Sequence, residues 1–488
     1  MSEQATKKKH NLLYLHVIIT VLLMFGFGKI PPFGAITPFG MQMLGVFLGL
    51  IYAWSTTTLL WPSFLGMLAI AFSGAYTIAD FAAISFGNET VVFMILVMAF
   101  TGALDRAGLV KYLSNWIISR KSIEGRPWAF TLAMLFGAYI GGMFINAFAS
   151  VIFFWKILYT ICDEFGFKRY EKYPSLMVLG IVFASMTAGL TALPYHLTAL
   201  IVLGALKSVA QISIPFAQYI LFTIPMSAIL IFAYFLCMKF VFRLDLSRLK
   251  SISVDFVDPK ELILSKTQKL AILFTVLMVV LLLSVDIVAL VLPDTYIANL
   301  LSGWGIIGVM LLLLVLALII HVDGEPFMDY QEAVKSVDWS MIYLFAVILP
   351  FSNILTSDAT GVNTWLVETL TPLFAGRSYL LFTFIVLLLG TLITNVANNS
   401  VVLVLFINIC APICASMDVP LLPLVMCMLF CYQLAYLTPA ASAPAAFVFG
   451  NTEWIKASAM YKPIAIILAI LFIVCFVIGM PLGTLIFA

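Results

Sequence analysis

Residues 390–404 read GTLITNVANNSVVLV and place three asparagines, Asn395, Asn398 and Asn399, inside an apolar run. The surrounding segment, from Tyr379 to Ile409, carries no charged residue. A polar group at membrane depth is costly unless it is hydrogen-bonded or faces water. This stretch therefore predicts an irregular turn within the membrane that is buried in protein or lines a cavity.

The composition agrees with a membrane setting. Of the 488 residues, 63% are hydrophobic and 10% are charged, whereas a soluble domain has about 25% charged residues. We predict an all-α polytopic membrane protein whose partners include the lipid bilayer and no nucleic acid. The first apolar segment, 11–28, is about long enough to span, so we interpret it as an uncleaved first span rather than a signal peptide. The seven cysteines are scattered through apolar segments and predict packing residues rather than a disulfide or metal site.

Two apolar segments have an unusual length. Residues 128–161 and 379–412 are each too long for one span and too short for two spans and a turn. Each carries small and polar residues at its middle, GGMFINAFAS in the first and LITNVANNS in the second. We predict two re-entrant helical hairpins with tips at Asn146 and Asn395.

The charges support this interpretation. With about eleven further spans and a cytoplasmic N-terminus, all of the 25 Lys and Arg residues except Lys29, Lys207 and Arg377 fall on the cytoplasmic side. Treating either hairpin as one span would reverse everything after it and remove the bias. We therefore predict a protein of the cell (inner) membrane, with the first hairpin entering from the cytoplasm and the second from outside.

The two halves of the chain look alike. Gly108 precedes Asn146 by 38 residues, and Gly361 precedes Asn395 by 34. Each hairpin is followed by an interrupted apolar segment, about 175–207 and about 421–450. Hairpins of opposite orientation predict inverted repeats, which are typical of secondary transporters. We predict an N-terminal tail and first span over residues 1–37, repeat 1 over 38–240, a cytoplasmic linker over 241–267 and repeat 2 over 268–488.

The interrupted segments carry the remaining polar groups. The first, TAGLTALPYHLTAL at 187–200, contains Thr191 and His196, and the second, AYLTPAASAPAAFVFG at 435–450, contains Thr438, Pro439 and Ser442. Amide and carbonyl oxygens suit a hard cation such as Na⁺, and half-helix N-termini favour an anion. Together these features predict cation-coupled uptake of a small anion.

The order of elements resembles the divalent-anion/sodium symporter family (dicarboxylate, citrate and sulfate carriers) of the ion transporter superfamily. The resemblance rests on FGNETVVFMILVMAFTGALDRAGL, on LTPAASAPAAFVFG, and on Ile145-Asn146-Ala147 and Thr394-Asn395-Val396 at the positions of the family's two Ser-Asn-Thr motifs. Ala147 and Val396 replace the motif threonines, so the chain resembles a divergent member. The resemblance implies a homodimer with scaffold and mobile transport domains, an elevator mechanism, and two Na⁺ sites, one at each tip and its facing break.

The resemblance and the tips together predict the site residues. The predicted Na⁺ ligands are Gly142, Asn146, Thr394, Asn395, Ala397 and Thr438. The predicted substrate-binding residues are Asn146, Ser150, Thr191, His196, Asn395, Asn398, Asn399, Thr438, Pro439 and Ser442. We predict Na⁺-coupled symport of a small (di)carboxylate or other anion, with no catalytic residues and no cofactor.

Two alternatives remain open from the sequence. His196 is titratable and lies in the first break, which allows a proton-coupled anion transporter or exchanger of the same superfamily. A membrane-embedded enzyme is the remote alternative, since the four histidines are scattered and no nucleophile–base pair or metal motif occurs.

Overall fold

The structure is a computed structural model that describes residues 3–144, 147–191, 197–251, 262–374, 378–438 and 441–487. It confirms the predicted all-α membrane class. The described helices of the first half are α1 Glu3–Val21, α2 Pro38–Thr56, α3 Leu60–Phe72, α4 Ile78–Phe86, α5 Glu89–Arg106, α6 Leu109–Ile118, α7 Pro127–Phe144, α8 Ala147–Glu164, α9 Lys172–Thr191, α10 Leu197–Ala210 and α11 Phe216–Leu236.

The second half continues in the same way after the 241–267 segment. Its described helices are α12 Lys266–Val291, α13 Tyr296–Ile319, α14 Tyr330–Val334, α15 Trp339–Leu355, α16 Val362–Phe374, α17 Tyr379–Thr394, α18 Asn399–Ser416, α19 Leu422–Gln433, α20 Ala443–Gly450, α21 Ala457–Val474 and α22 Met480–Phe487. A two-residue antiparallel pair, β1 His321–Val322 with β2 Glu325–Pro326, closes the turn after α13.

The chain divides into two compact units. Unit 1 contains residues Met1–Ile95, Ile201–Ser213 and Asp338–Val425, and unit 2 contains Leu96–Leu200, Ile214–Val337 and Met426–Ala488. Each unit therefore takes segments from both halves of the sequence.

Eight helices of the described chain are long and apolar enough to cross a membrane, or ten if two bent helix pairs each count as one span. The predicted number was about eleven besides the hairpins. The predicted span at 56–75 is the short α3, which has 13 residues and ends before Gly74 in the left-handed region at φ +78°. The predicted span at 88–106 is α5, which bends by 53° from α4 at Gly87 and Asn88.

The segment predicted as the first hairpin is a pair of antiparallel helices. The Ser150 hydroxyl of α8 donates to the Ala138 carbonyl of α7 at 2.8 Å, so the arms are in contact. Its two ends meet the same segment: Arg248 donates to the Gly166 carbonyl at 3.0 Å, and a Cβ on Gly125 would lie 3.7 Å from the Lys250 carbonyl. Residues 127–164 thus leave and return at one end, as a hairpin requires.

The second predicted hairpin, α17 with α18, has the same form within unit 1. The Tyr379 hydroxyl at its start donates to the Pro420 carbonyl beyond its end at 2.6 Å. At the other end, the Thr394 hydroxyl of α17 donates to Asn399 Oδ1 of α18 at 2.9 Å. The observed bounds, 379–416, are close to the predicted 379–412.

Contacts at helix ends and in loops join residues that are predicted to lie on the same side of the membrane. In unit 1, the predicted external residues Lys207 and Glu89 form an ion pair, and Thr37 Oγ1 donates to the Ala359 carbonyl at 2.7 Å. In unit 2, Arg169 pairs with Glu453 at 2.9 Å, both in predicted cytoplasmic loops. Loops on opposite faces of a bilayer could not touch, so these contacts are consistent with the predicted sidedness. Which face is cytoplasmic stays a prediction.

Candidate ion and anion site

The tip of the second hairpin is a non-helical turn over residues 395–398. Asn395 ends α17, is 3% exposed, and donates from Nδ2 to the Thr391 carbonyl at 2.7 Å. Val396, next in the chain, is 78% exposed and forms the outer surface of the turn. The turn thus buries the Asn395 amide. It exposes the apolar Val396 at the position where the family that the chain resembles has a threonine.

The other two asparagines shape the second arm. Asn398 is the N-cap of α18, and its Oδ1 accepts hydrogen bonds from Ser400 N at 3.1 Å and Val401 N at 3.2 Å. This is the ordinary way in which asparagine satisfies the unpaired N–H groups of a first helical turn. The Asn399 amide joins the two arms through the buried Thr394. Asn398 and Asn399 were predicted as substrate-binding residues, and that role stays a prediction beside these structural contacts.

Replacing Asn398 with alanine should destabilise the tip. The lost cap is expected to lower the free energy of unfolding by about 1 kcal/mol, because two helix N–H groups lose their acceptor. Thermal unfolding of the purified protein measures the effect. Serine caps almost as well as asparagine, so Asn398→Ser should unfold close to the wild type. Equal loss in both variants would contradict a capping role.

The first hairpin is built around close backbone approach. A Cβ on Gly142 would lie 2.7 Å from the Ser185 carbonyl of α9, so only glycine allows α7 to approach α9 there. The Ser150 and Ser185 hydroxyls both donate to the Ala138 carbonyl, at 2.8 and 3.2 Å. Ser150, predicted to bind substrate, is fully buried and forms this interhelical bond. Asn146, the predicted ion ligand at this tip, lies outside the described residues.

Thr191 lies at the end of α9 in a buried cluster of hydroxyls. Its Oγ1 is 2.6 Å from Ser227 Oγ and accepts a hydrogen bond from the Tyr139 hydroxyl at 3.3 Å. These bonds connect the last turn of α9 to α7 and α11. His196, which is needed for the proton-coupled alternative, lies outside the described residues.

The second predicted break is present in the described residues. Helix α19 ends at Gln433, residues 434–438 are non-helical, and α20 begins at Ala443. The Ser442 hydroxyl accepts from Ala445 N at 3.1 Å and donates to the Ala435 carbonyl at 2.6 Å, so it caps α20 and bridges the break. Pro444 lies in the first turn of α20, where a missing N–H costs nothing, and it therefore starts this helix rather than kinking it. Thr438 lies half-buried in the break, and Pro439 lies outside the described residues.

The predicted site residues fall into two groups. Thr394, Asn395, Ala397, Asn398 and Asn399 belong to unit 1, while Gly142, Ser150, Thr191, Thr438 and Ser442 belong to unit 2. No three His, Cys, Asp or Glu side chains gather to hold a metal ion within the described residues. A cation bound by these groups would rely on neutral amide, hydroxyl and carbonyl oxygens.

The sequence did not predict a cluster of side chains around Trp454, the residue that lies just after α20. We call Tyr159, Arg169 and Trp454 the Trp454 anchor. The Tyr159 and Trp454 rings stack at 5.1 Å and 5°, and the Arg169 guanidinium lies 3.8 Å from the Trp454 ring centroid. Trp454 is fully buried, and its carbonyl accepts from the Ser175 hydroxyl at 3.1 Å. The anchor joins α8 of the first hairpin to the chain after α20. The sequence of the second break, 435–450, gave no reason to expect this contact.

Two solved structures illustrate the likeness of the fold. The YdaH transporter of Alcanivorax borkumensis matches with a TM-score of 0.57 and 15% identity, covering 91% of this chain and 98% of that one. MtrF of Neisseria gonorrhoeae, described as one of a class of antimetabolite efflux pumps, matches with a TM-score of 0.53 and 14% identity, covering 95% and 94%. At these identities the likeness concerns the fold alone.

The sequence assigns the family. Residues 50–397 match the citrate transporter family (CitMHS), and the chain belongs to that family. It is 22% identical over 322 residues to the sodium-dependent dicarboxylate transporter SdcS of Staphylococcus saprophyticus, covering 63% of this chain and 60% of that protein. Over 131 residues it is 26% identical to human solute carrier family 13 member 1, covering 27% and 22%. The matched stretches span less than two thirds of either relative. The resemblance to divalent-anion/sodium symporters is confirmed.

Proposed function

We propose that this protein is a secondary active transporter that carries a small di- or tricarboxylate anion into the cell in symport with Na⁺. The observation that carries the proposal is the match of residues 50–397 to the citrate transporter family. The sodium-dependent dicarboxylate transporter among its relatives supports both the anion class and the coupling ion.

The described geometry supports the same proposal. The Asn395 amide and the Thr394 hydroxyl are buried at a non-helical tip where α18 begins. The N-terminus of an 18-residue helix carries a partial positive charge, which stabilises a nearby anion. Neutral oxygen ligands at the tip suit Na⁺, which is a hard monovalent cation. The residue types at the tip therefore support a site for a cation and an anion.

The wider arrangement belongs to the proposal as well. We infer a protein of the cell (inner) membrane with a cytoplasmic N-terminus, assembled as a homodimer. Substrate movement would follow an elevator mechanism, in which a mobile transport domain moves against a scaffold. The family resemblance supports these statements, and the distribution of Lys and Arg along the sequence supports the cytoplasmic N-terminus.

Uptake into proteoliposomes tests the coupling. Radiolabelled citrate and succinate are offered to vesicles holding purified full-length protein, with an inward Na⁺ gradient, with choline in place of Na⁺, and with an inward proton gradient. We expect accumulation above the external concentration with the Na⁺ gradient and none with choline, because only the cation gradient supplies energy.

Vesicles without protein are the control for leakage. Accumulation that follows the proton gradient and ignores Na⁺ would favour the proton-coupled alternative. A lack of uptake for every anion under every gradient would contradict the proposed function.

A further inference from the structure

A polar cavity lies in unit 1, and no residue of the hairpin tip lines it. It has a volume of about 210 Å³ and is lined by the start of α5, the end of α10 and the last turns of α15. Its walls are polar side chains and a glycine, and those that matter here are Asn88, Glu89, Thr90, Lys207, Ser208 and Asn353. None of these residues was predicted as a site residue.

A close helix contact creates the cavity. A Cβ on Gly204 would lie 2.9 Å from Thr90 Cγ2 and 3.1 Å from Leu349 Cδ1, so α10 packs directly against α5 and α15. One turn further on, Lys207 and Ser208 face the same space. The helix ends at Ala210, and Gln211, whose φ is +57°, also lines the cavity.

An ion pair crosses the cavity. Lys207 Nζ donates to a carboxylate oxygen of Glu89, and the two side chains are 51% and 44% exposed. An exposed pair of this kind contributes little to stability and exchanges readily with other partners. The lysine therefore already holds a carboxylate, supplied by the protein itself, in a position that a free carboxylate could take.

The neighbouring groups favour an anion over a cation. Asn88 Oδ1 accepts from Thr90 N at 3.0 Å, which fixes the orientation of the amide, and the NH₂ group of the same amide carries two donors. Asn88 also precedes the first turn of the 18-residue α5, where the helix dipole is positive. Once Glu89 is displaced, the cavity presents a lysine ammonium, an amide donor and a positive helix end.

We propose that this cavity is an entry site for carboxylate substrates, in which a substrate carboxylate displaces Glu89 and binds Lys207. The inference rests on the proposed function for the identity of the ligand. Glu89 acts as an internal competitor: it neutralises Lys207 when substrate is absent and sets the concentration at which substrate enters. The site differs from the hairpin tip in that it relies on a full positive charge.

Chemical labelling of Lys207 tests binding without requiring transport. Purified full-length protein in nanodiscs is treated with an amine-reactive reagent, and modification is read by mass spectrometry with increasing citrate or succinate. We expect both anions to protect Lys207 in a saturable way. Lys29, which is exposed in the same unit and lies outside the cavity lining, serves as the internal control and should react equally throughout.

Two variants sharpen the test. In Glu89→Gln the half-protecting concentration should fall by about two- to fivefold, since an exposed ion pair no longer competes. In Asn395→Ala the protection should be unchanged, even where transport is lost. The proposal would be contradicted if neither anion changed the labelling of Lys207, or if protection disappeared in Glu89→Gln.

Transport kinetics supply the second readout. In Lys207→Gln we expect the KM for uptake to rise by about tenfold with kcat little changed, because a charge-assisted contact made before the transport step is lost. The double variant Glu89→Gln/Lys207→Gln should match Lys207→Gln alone, since Glu89 acts through Lys207. A change in kcat without a change in KM would contradict the proposal. If the wild type transports nothing, the proposed function fails, and the labelling result still decides whether the cavity binds carboxylates.

Discussion

Asn395→Ala is expected to reduce Na⁺-coupled uptake by about 100-fold or more while the protein remains folded. Asn395 is 3% exposed at the tip of the second hairpin, and alanine removes the amide oxygen that would contact the ion there. Loss of a group that supports a metal site typically costs 10–100-fold, and loss of a direct ligand should reach or exceed about the upper end. Uptake into proteoliposomes at saturating Na⁺ gives the measurement.

The control is Asn363→Ala in α16 of the same unit. Asn363 Nδ2 donates to the Thr356 carbonyl at 3.0 Å, just as Asn395 Nδ2 donates to the Thr391 carbonyl at 2.7 Å. Each variant loses a bond of this kind, worth about 0.5–1.5 kcal/mol, and we expect both variants to remain folded. Only Asn395→Ala should lose transport. Normal uptake in that variant would show that Asn395 at the second tip is not needed for transport.

Trp454→Ala is expected to lower the free energy of unfolding by about 3–5 kcal/mol. Trp454 is fully buried, stacks on Tyr159, and lies under the Arg169 guanidinium. Its removal leaves a cavity and an arginine without its ring partner. Because total stability is commonly only about 5–15 kcal/mol, we expect poor expression or a clear fall in the unfolding temperature.

Trp116→Ala is the matched control for the Trp454 anchor. Trp116 also lies under an arginine, with the Arg120 guanidinium 3.5 Å from its ring centroid, but it is 45% exposed. An exposed cation–π contact is worth about 0.5–1 kcal/mol, so this variant should unfold near the wild type. Similar unfolding of the two variants would show that the anchor does not stabilise unit 2.

Much of the fold could be predicted because the membrane constrains apolar length so strongly. The hairpin predicted at 128–161 is α7 and α8 over 127–164, and the broken helix predicted at 421–450 is α19 and α20. The span count was harder to predict. Whether α3 and α5 each cross the membrane alone depends on the left-handed Gly74 and on the bend between α4 and α5. Hydropathy does not reveal either feature.

The site was less predictable because its contacts are distant in sequence. Composition pointed to Asn398 and Ser442 as polar groups within apolar runs, but not to their roles as N-caps of α18 and α20. The lysine–glutamate cavity joins α5 to α10, and the Trp454 anchor joins residues 159, 169 and 454. Such pairings follow from tertiary packing, which leaves no periodic signal along the chain.

The division into two compact units has a consequence for synthesis. Unit 1 contains residues 1–95 but also 338–425, and buried residues of α15 such as Phe351 complete it, with the Phe351 ring 6.2 Å from that of Phe47. At about 5–20 residues per second, the ribosome needs roughly 10–50 s to deliver the later segment after the first. During that interval the surfaces of α2 and α3 that receive α15 are without their partner. The nascent chain therefore depends on lipid, or on the insertion machinery, to cover them until more than two thirds of the protein has been made.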